Sequence, residues 1–235
     1  RGTPQHSQIY EAALRYYEYE LTWNPEVLDR VLSAMERAIA IDPDCGQAWS
    51  MRARLFAQVH AFDIPGFKRP LEQAFTFAQN GLRLLPGDQR AHVIMAFVHL
   101  LRNDLKSGRA EVDRALHLDA ETLFVLDGIG YLMTLMGDWE RGPALIEQVL
   151  NLNPFCSNDV HSALWVNWLR QKAYDRACQE TMKLNRPALF WDHLARAATL
   201  GLCGKIEEVR RSAAELLIRQ PDFPQRGRML IEHFI

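Results

Sequence analysis

The sequence predicts an all-α chain, a solenoid of about six helix-turn-helix repeats finished by a C-terminal capping helix. Three observations predict it. Helix terminators recur at Pro43, Pro86, Ala120, Pro154, Pro187 and Pro221, at intervals of 43, 34, 34, 33 and 34 residues. Similar lead-ins precede three of them: Ala38-Ile39-Ala40-Ile41-Asp42, Ala115-Leu116-His117-Leu118-Asp119 and Val149-Leu150-Asn151-Leu152-Asn153. Apolar residues also fall at helical spacing, most cleanly between Leu123 and Pro154. There Leu126, Ile129, Gly130 and Met133 share one face, and Leu145, Ile146, Val149 and Leu150 form another stripe. A hairpin of two such helices cannot shield its own apolar side and leans on its neighbours. The pairs expected at about 7–43, 44–86, 87–120, 121–154, 155–187 and 188–221, with a cap at 223–235, therefore read as one domain.

In chain order, Ile9, Ala13, Tyr16, Tyr17 and Leu21 predict a first helix over 7–21. Asn24 as N-cap and Pro25 as first helical residue open the next, Pro25 to Ile41, with Val31, Met35 and Ala38 facing inward. Repeat two is nine residues longer than the 34-residue period because 62–70 intervene between its helices. Phe62, Ile64 and Phe67 in that insertion cap the repeats locally, form a flap over a groove, or serve as a docking loop. In repeat four Gly137 stops one helix and Asp138 caps the next, while Pro143 predicts a bend or a late start. Repeat six runs from about Pro187 through Leu202-Cys203-Gly204-Lys205 to Pro221. Met229, Leu230, Ile231 and Phe234 in the tail would cover the last open face.

A period of about 34 residues with one helical hairpin per copy resembles the tetratricopeptide (TPR) repeat. Trp49 stands in the motif's Trp position, and Ala53, Ala96, Gly130 and Ala197 stand where two helices cross closely. Leu164 departs from that pattern, and Gly108 and Gly142 replace the usual alanine of the second helices, which predicts looser packing there. The resemblance implies a right-handed superhelix whose first helices line a concave side. A narrower likeness rests on the repeat-two insertion, the Gly137-Asp138-Trp139-Glu140-Arg141-Gly142 hinge, the segment Asn185 to Trp191, and Arg219-Gln220-Pro221-Asp222-Phe223. Together these resemble the C-terminal TPR region of bacterial adenylate/guanylate cyclases and related signalling regulators. That likeness implies an accessory signalling domain whose effector domain lies upstream. Nothing here matches a cyclase's metal-binding aspartates.

The 27 basic and 29 acidic residues leave a net charge of -2, so the balance gives no case for nucleic acid as partner. Arg210, Arg211, Arg219, Arg226 and Arg228 gather near the C-terminus, and a solvated terminal face accounts for them. Cys45, Cys156, Cys178 and Cys203 form no C-x-x-C pair, which fits free thiols in a reducing compartment and a cytoplasmic location. No apolar run reaches the roughly 18–20 residues of a membrane span. A start at Arg1 and an end within a helical pattern at Ile235 read as a segment of something longer.

Catalytic and cofactor motifs find little support. Gly128-Ile129-Gly130 lacks a third glycine and a preceding strand, so it reads as a helix-packing element and not a dinucleotide cradle. His92, His99, His161 and His193 have no ligand spacing and no carboxylate partner in helical register, so neither metal nor cofactor is expected. His161 and Ser162 are adjacent on a helix and point apart, which removes a nucleophile pair.

The binding candidates lie on first helices. Asp127, Tyr131 and Thr134 share a face at i, i+4, i+7, and one period later come His161, Trp165 and Trp168. Phe97 and Arg54 hold the corresponding places further upstream. Aromatic side chains on a concave wall offer rigid contact area for a partner, and packing against neighbouring helices is the competing use of Trp165 and Trp168. The Lys and Asn of a carboxylate clamp are absent, with Ser50, Arg54, Ile94, Phe124 and Gly128 in their places. The reading is thus a non-catalytic module for a protein or peptide partner, an upstream domain or a second copy. The alternative is a structural spacer or self-association domain.

Overall fold

Each hairpin carries a left-handed residue at its turn, and the longer second turn adds Gly66 and Arg69 to Asp63. With φ between 50° and 90°, Trp23, Asp63, Asn103, Gly137, Lys172 and Gly204 reverse the chain at the six hinges. Behind five of them a backbone N–H reaches back five residues: Ile64 to Val59, Asp104 to His99, Asp138 to Met133, Ala173 to Trp168 and Lys205 to Leu200, at 2.9–3.0 Å. Glycine takes this conformation freely at 137 and 204. Asp63 and Asn103 adopt it at lower cost, and Trp23 and Lys172 carry about 1–2 kcal/mol of strain each, held by the packing around them.

The computed structural model describes residues 4–118, 123–153, 157 and 159–232. It divides into two compact units, Arg1–Ala120 and Glu121–Ile235. In the first, α1 (Pro4–Thr22) pairs with α2 (Pro25–Ile41), α3 (Gly46–Ala61) with α4 (Pro70–Leu84), and α5 (Gln89–Leu101) with α6 (Leu105–Leu118). In the second, α7 (Leu123–Leu135) pairs with α8 (Arg141–Leu152), α9 (Asp159–Arg170) with α10 (Tyr174–Lys183), and α11 (Phe190–Leu202) with α12 (Ile206–Arg219), followed by α13 (Phe223–Glu232). Every regular element among the described residues is a helix. The expected terminators Ala120 and Pro154, together with Cys156, Phe234 and the side chain of Phe124, lie outside the described residues.

Local chemistry explains the helix starts. Asn24 accepts from the Glu26 N–H at 3.0 Å and Pro25 opens α2, as expected. Asp104 accepts from the Ser107 N–H at 3.1 Å, and Asp138 from the Arg141 N–H at 3.0 Å. Since α8 begins at Arg141, Pro143 falls within its first turn, where the missing N–H would have had no intrahelical partner. A second device recurs at the hairpin junctions. The Trp49 indole donates to the Pro43 carbonyl at 2.9 Å, and His92 and His193 each place Nε2 3.1 Å from the carbonyls of Pro86 and Pro187. In all three a ring nitrogen six residues downstream satisfies the terminator's carbonyl. Two histidines therefore do in their repeats what the motif's Trp does in repeat two.

Gly142 does not mark a loose crossing: a Cβ built there would lie 2.6 Å from the Thr134 backbone nitrogen and 3.0 Å from its Cα, so α7 and α8 meet backbone to backbone. Phe62, Ile64 and Phe67 of the insertion lie on the first unit's own core. The Phe62 ring stands 5.2 Å from Trp23, the Phe67 ring 5.7 Å from Phe56, and Ile64 and Phe67 pack on the cluster that holds Tyr19, Leu55 and Val59. In the second unit α13 buries Leu230 against Phe190 and Leu216.

Candidate functional site

The candidate residues are shared between the two units. In the first, Arg54 of α3 and Phe97 of α5 stand one extended repeat apart, and the guanidinium lies 4.5 Å from the centre of the ring. Trp23 approaches the same cation from 5.9 Å, and Glu20 sits 3.7 Å from Arg54 Nε. Glu20 also accepts from the buried Gln58 amide at 2.5 Å. Burial and the nearby Glu20 charge push the phenols of Tyr16 and Tyr19 well above their usual range, so both stay neutral. Phe97 and Trp23 are both buried around Arg54, whose side chain is itself mostly covered and paired with Glu20, so this cluster packs inward.

In the second unit the predicted face is divided between two neighbouring helices. Trp165 of α9 leans toward α11: its indole N–H donates to the Thr199 hydroxyl at 2.7 Å, and that hydroxyl donates in turn to the Ala195 carbonyl at 2.8 Å. Trp165 stays half-buried, its ring held in one orientation. His161 turns instead to α10, where Nδ1 lies 2.8 Å from the Glu180 carboxylate. Trp168 is also claimed by α10, with the Arg176 guanidinium 4.7 Å from its ring. On α7, Asp127 accepts from the Ser157 N–H at 3.3 Å and from Gly128 N–H at 2.6 Å, and Tyr131 is buried. Thr134 is not a groove residue. It is fully buried, donates to the Gly130 carbonyl at 2.8 Å and faces Gly142, because the position seven residues after Asp127 meets the α8 backbone and not solvent.

Sequence reasoning found no carboxylate for the histidines because it searched along single helices. The partners come from the paired helix. His92 meets Glu111 at 2.6 Å as His161 meets Glu180, each pair 19 residues apart. A recurring His and Glu at that separation was the available signal. Burial opposes the charge on Glu180, yet hydrogen bonds from His161 and Lys183 hold its carboxyl below the usual range. A carboxylate depressed in the folded state contributes stability that is present above its unfolded pKa, about 4.3, and lost as pH falls through the lower folded value. Glu180→Gln is therefore expected to lower stability at pH 7 while flattening its decline below about pH 4, measured by urea unfolding across pH. An unchanged acid limb would remove Glu180 from the account.

The second missed group is Arg186, in the connection from α10 to α11. Its guanidinium reaches Asp159 at 2.9 Å, Ser162 at 2.8 Å and Asp192 at 2.8 Å, and its backbone N–H donates to Asp192 at 2.7 Å. This network fixes the start of α9 against the start of α11, the two helices that Trp165 bridges. Among the described residues no group of three or more His, Cys, Asp or Glu side chains is placed to hold a metal ion. No described helix is long and apolar enough to cross a membrane.

Comparison of the whole chain with solved structures bears on the same geometry. Human IFIT1, solved as a dimer with m7Gppp-AAAA, superimposes with a TM-score of 0.75 over 92% of this chain at 15% identity. Cut9, from the hetero-tetramer Cut9-Hcn1 of the APC/C, gives 0.67 over 89% at 15% identity. These neighbours are TPR proteins. The fold is that of the TPR proteins. PilW, a widely conserved type IV pilus biogenesis factor, adds a TPR match of 0.59 at 16% identity, covering 94% of this chain and 96% of its own. The chain spans about half of IFIT1, 51%, and 40% of Cut9. No protein-family model and no curated protein matches the sequence.

Proposed function

We propose that the chain is a non-catalytic protein-interaction module that holds a peptide or a neighbouring domain against the first helices of its second unit, with Trp165 as the central contact. One observation carries this reading: a half-buried indole fixed by its bond to Thr199 has already lost its rotamer freedom, so a partner gains contact area at little entropic cost. The half-buried His161 and Trp168 beside it on α9 add partly open surface. The TPR fold, whose neighbour Cut9 was solved with a protein partner, also supports this reading. A net charge of -2 favours protein over nucleic acid. The cyclase-like segments place the module, in this reading, as the accessory domain of a bacterial signalling protein.

Selection from a displayed random-peptide library is expected to enrich peptides with apolar anchors. Trp165→Ala should weaken the best of them by about tenfold or more, roughly 1.4 kcal/mol, with Trp165→Phe intermediate and the helical circular dichroism unchanged. No enriched peptide, or one indifferent to Trp165→Ala, would end this assignment.

A second reading has its own observation. Tyr10, Leu14, Tyr17 and Leu21 fall at i, i+4, i+7, i+11 of α1 and are all exposed, Leu21 the most at 83%. Such a stripe suits a second copy of the chain. Light scattering over a dilution series should then show a dimer that Leu14→Glu with Leu21→Glu dissociates, whereas a monomer at every concentration sets self-association aside.

A further inference from the structure

Among the described residues, two cysteines that look scattered in the sequence come near one another in the fold. Cys178 stands on α10 and is buried, and Cys203 caps the C-terminus of α11 and is partly exposed. The Cys203 Sγ lies 3.7 Å from the Tyr174 carbonyl, one helical turn before Cys178 on α10. It thus rests on the turn of α10 that leads directly into Cys178. Neither residue belongs to the binding face around Trp165.

We propose that Cys178 and Cys203 are an oxidative modification site, at which a hydroperoxide converts the two thiols to an intrachain disulfide that ties α10 to the hinge between α11 and α12. The more accessible Cys203 reacts first. Its thiolate attacks the peroxide O–O bond, an S–O bond forms, and the leaving oxygen takes a proton to depart as water or alcohol. The Cys178 sulfur then attacks the resulting sulfenic acid, and the expelled hydroxide takes the Cys178 proton as water. Two thiols have lost two hydrogens, and the peroxide has gained two electrons. Because the resolving thiol is already adjacent, the disulfide forms before a second oxidation to sulfinic acid.

The surroundings set the speed. Burial, the Cys178 thiol and the Asp175 carboxylate push the Cys203 thiol up, against the opposing charge of Lys205. Little thiolate is present at neutral pH, so the pair stays reduced under mild conditions and reacts faster as pH rises.

The test treats the full chain with hydrogen peroxide at neutral and alkaline pH, blocks remaining thiols, and maps linked peptides by mass spectrometry without reduction. The expected product joins Cys178 to Cys203, in about tenfold or greater excess over any link to Cys45 or Cys156, because the fold supplies the local thiol concentration. It forms faster at alkaline pH and raises the thermal midpoint reversibly with dithiothreitol. In denaturing urea the excess disappears, and in Cys178→Ser the Cys203 sulfur proceeds to sulfinic acid. Sulfinic acid at Cys203 of the native chain without the link, or the same mixture of links folded and unfolded, overturns the proposal.

Discussion

Arg186→Met is expected to cost about 3–5 kcal/mol of folding stability, read from urea unfolding of the purified chain. The reason is what the substitution leaves behind. Asp192 is wholly buried, and the guanidinium gives it two hydrogen bonds, from Nε at 3.1 Å and Nη2 at 2.8 Å. The same guanidinium holds Asp159 at 2.9 Å. Burial disfavours a charged Arg186, yet the two carboxylates outweigh it and raise its pKa further. Methionine fills the space but leaves two like charges facing each other with their shared cation gone. Asp192→Asn in the same chain should therefore recover part of the loss, and the double-mutant cycle should give a coupling of about 1–3 kcal/mol. A loss below about 1 kcal/mol would mean that the network is screened like a surface ion pair.

The period was legible because it depends on residues that act alone. A proline cannot continue a helix, so five prolines at multiples of nearly the same spacing carry the fold class without tertiary information. The start of α2 and the caps at Asp138 and Gly137 are local in the same way. The hinge at Lys172 was not legible. A lysine stands in the left-handed region because the packed helices on either side require it, and no local preference announces that. The candidate face shows a third kind of limit. Helical spacing groups His161, Trp165 and Trp168 on one side of α9, but that side looks onto two helices. Which of them takes each side chain depends on where Glu180, Arg176 and Thr199 stand. Arg186 was out of reach for the same reason, since its partners sit 27 and 6 residues away, on the first turns of different helices.

Gly142→Ala is expected to destabilise the chain by about 1–3 kcal/mol, although helix propensity alone predicts the opposite sign. In an open helix, alanine in place of glycine gains up to about 1 kcal/mol. At Gly142 the added methyl would meet the Thr134 hydroxyl at 2.5 Å, the Thr134 nitrogen at 2.6 Å and its Cα at 3.0 Å. Two of those three atoms are backbone, so no rotamer change relieves the contact and α7 must move off α8. For that reason Thr134→Ala should not rescue the variant. Gly201 supplies the comparison, because in α11 its nearest neighbour to a new Cβ is a Val209 methyl at 3.9 Å. Gly201→Ala should leave stability unchanged or raise it slightly. Equal behaviour of the two variants in urea unfolding would mean that the α7–α8 crossing can open without cost. The close approach, and with it the steric reason for glycine in this place of the repeat, would then be wrong.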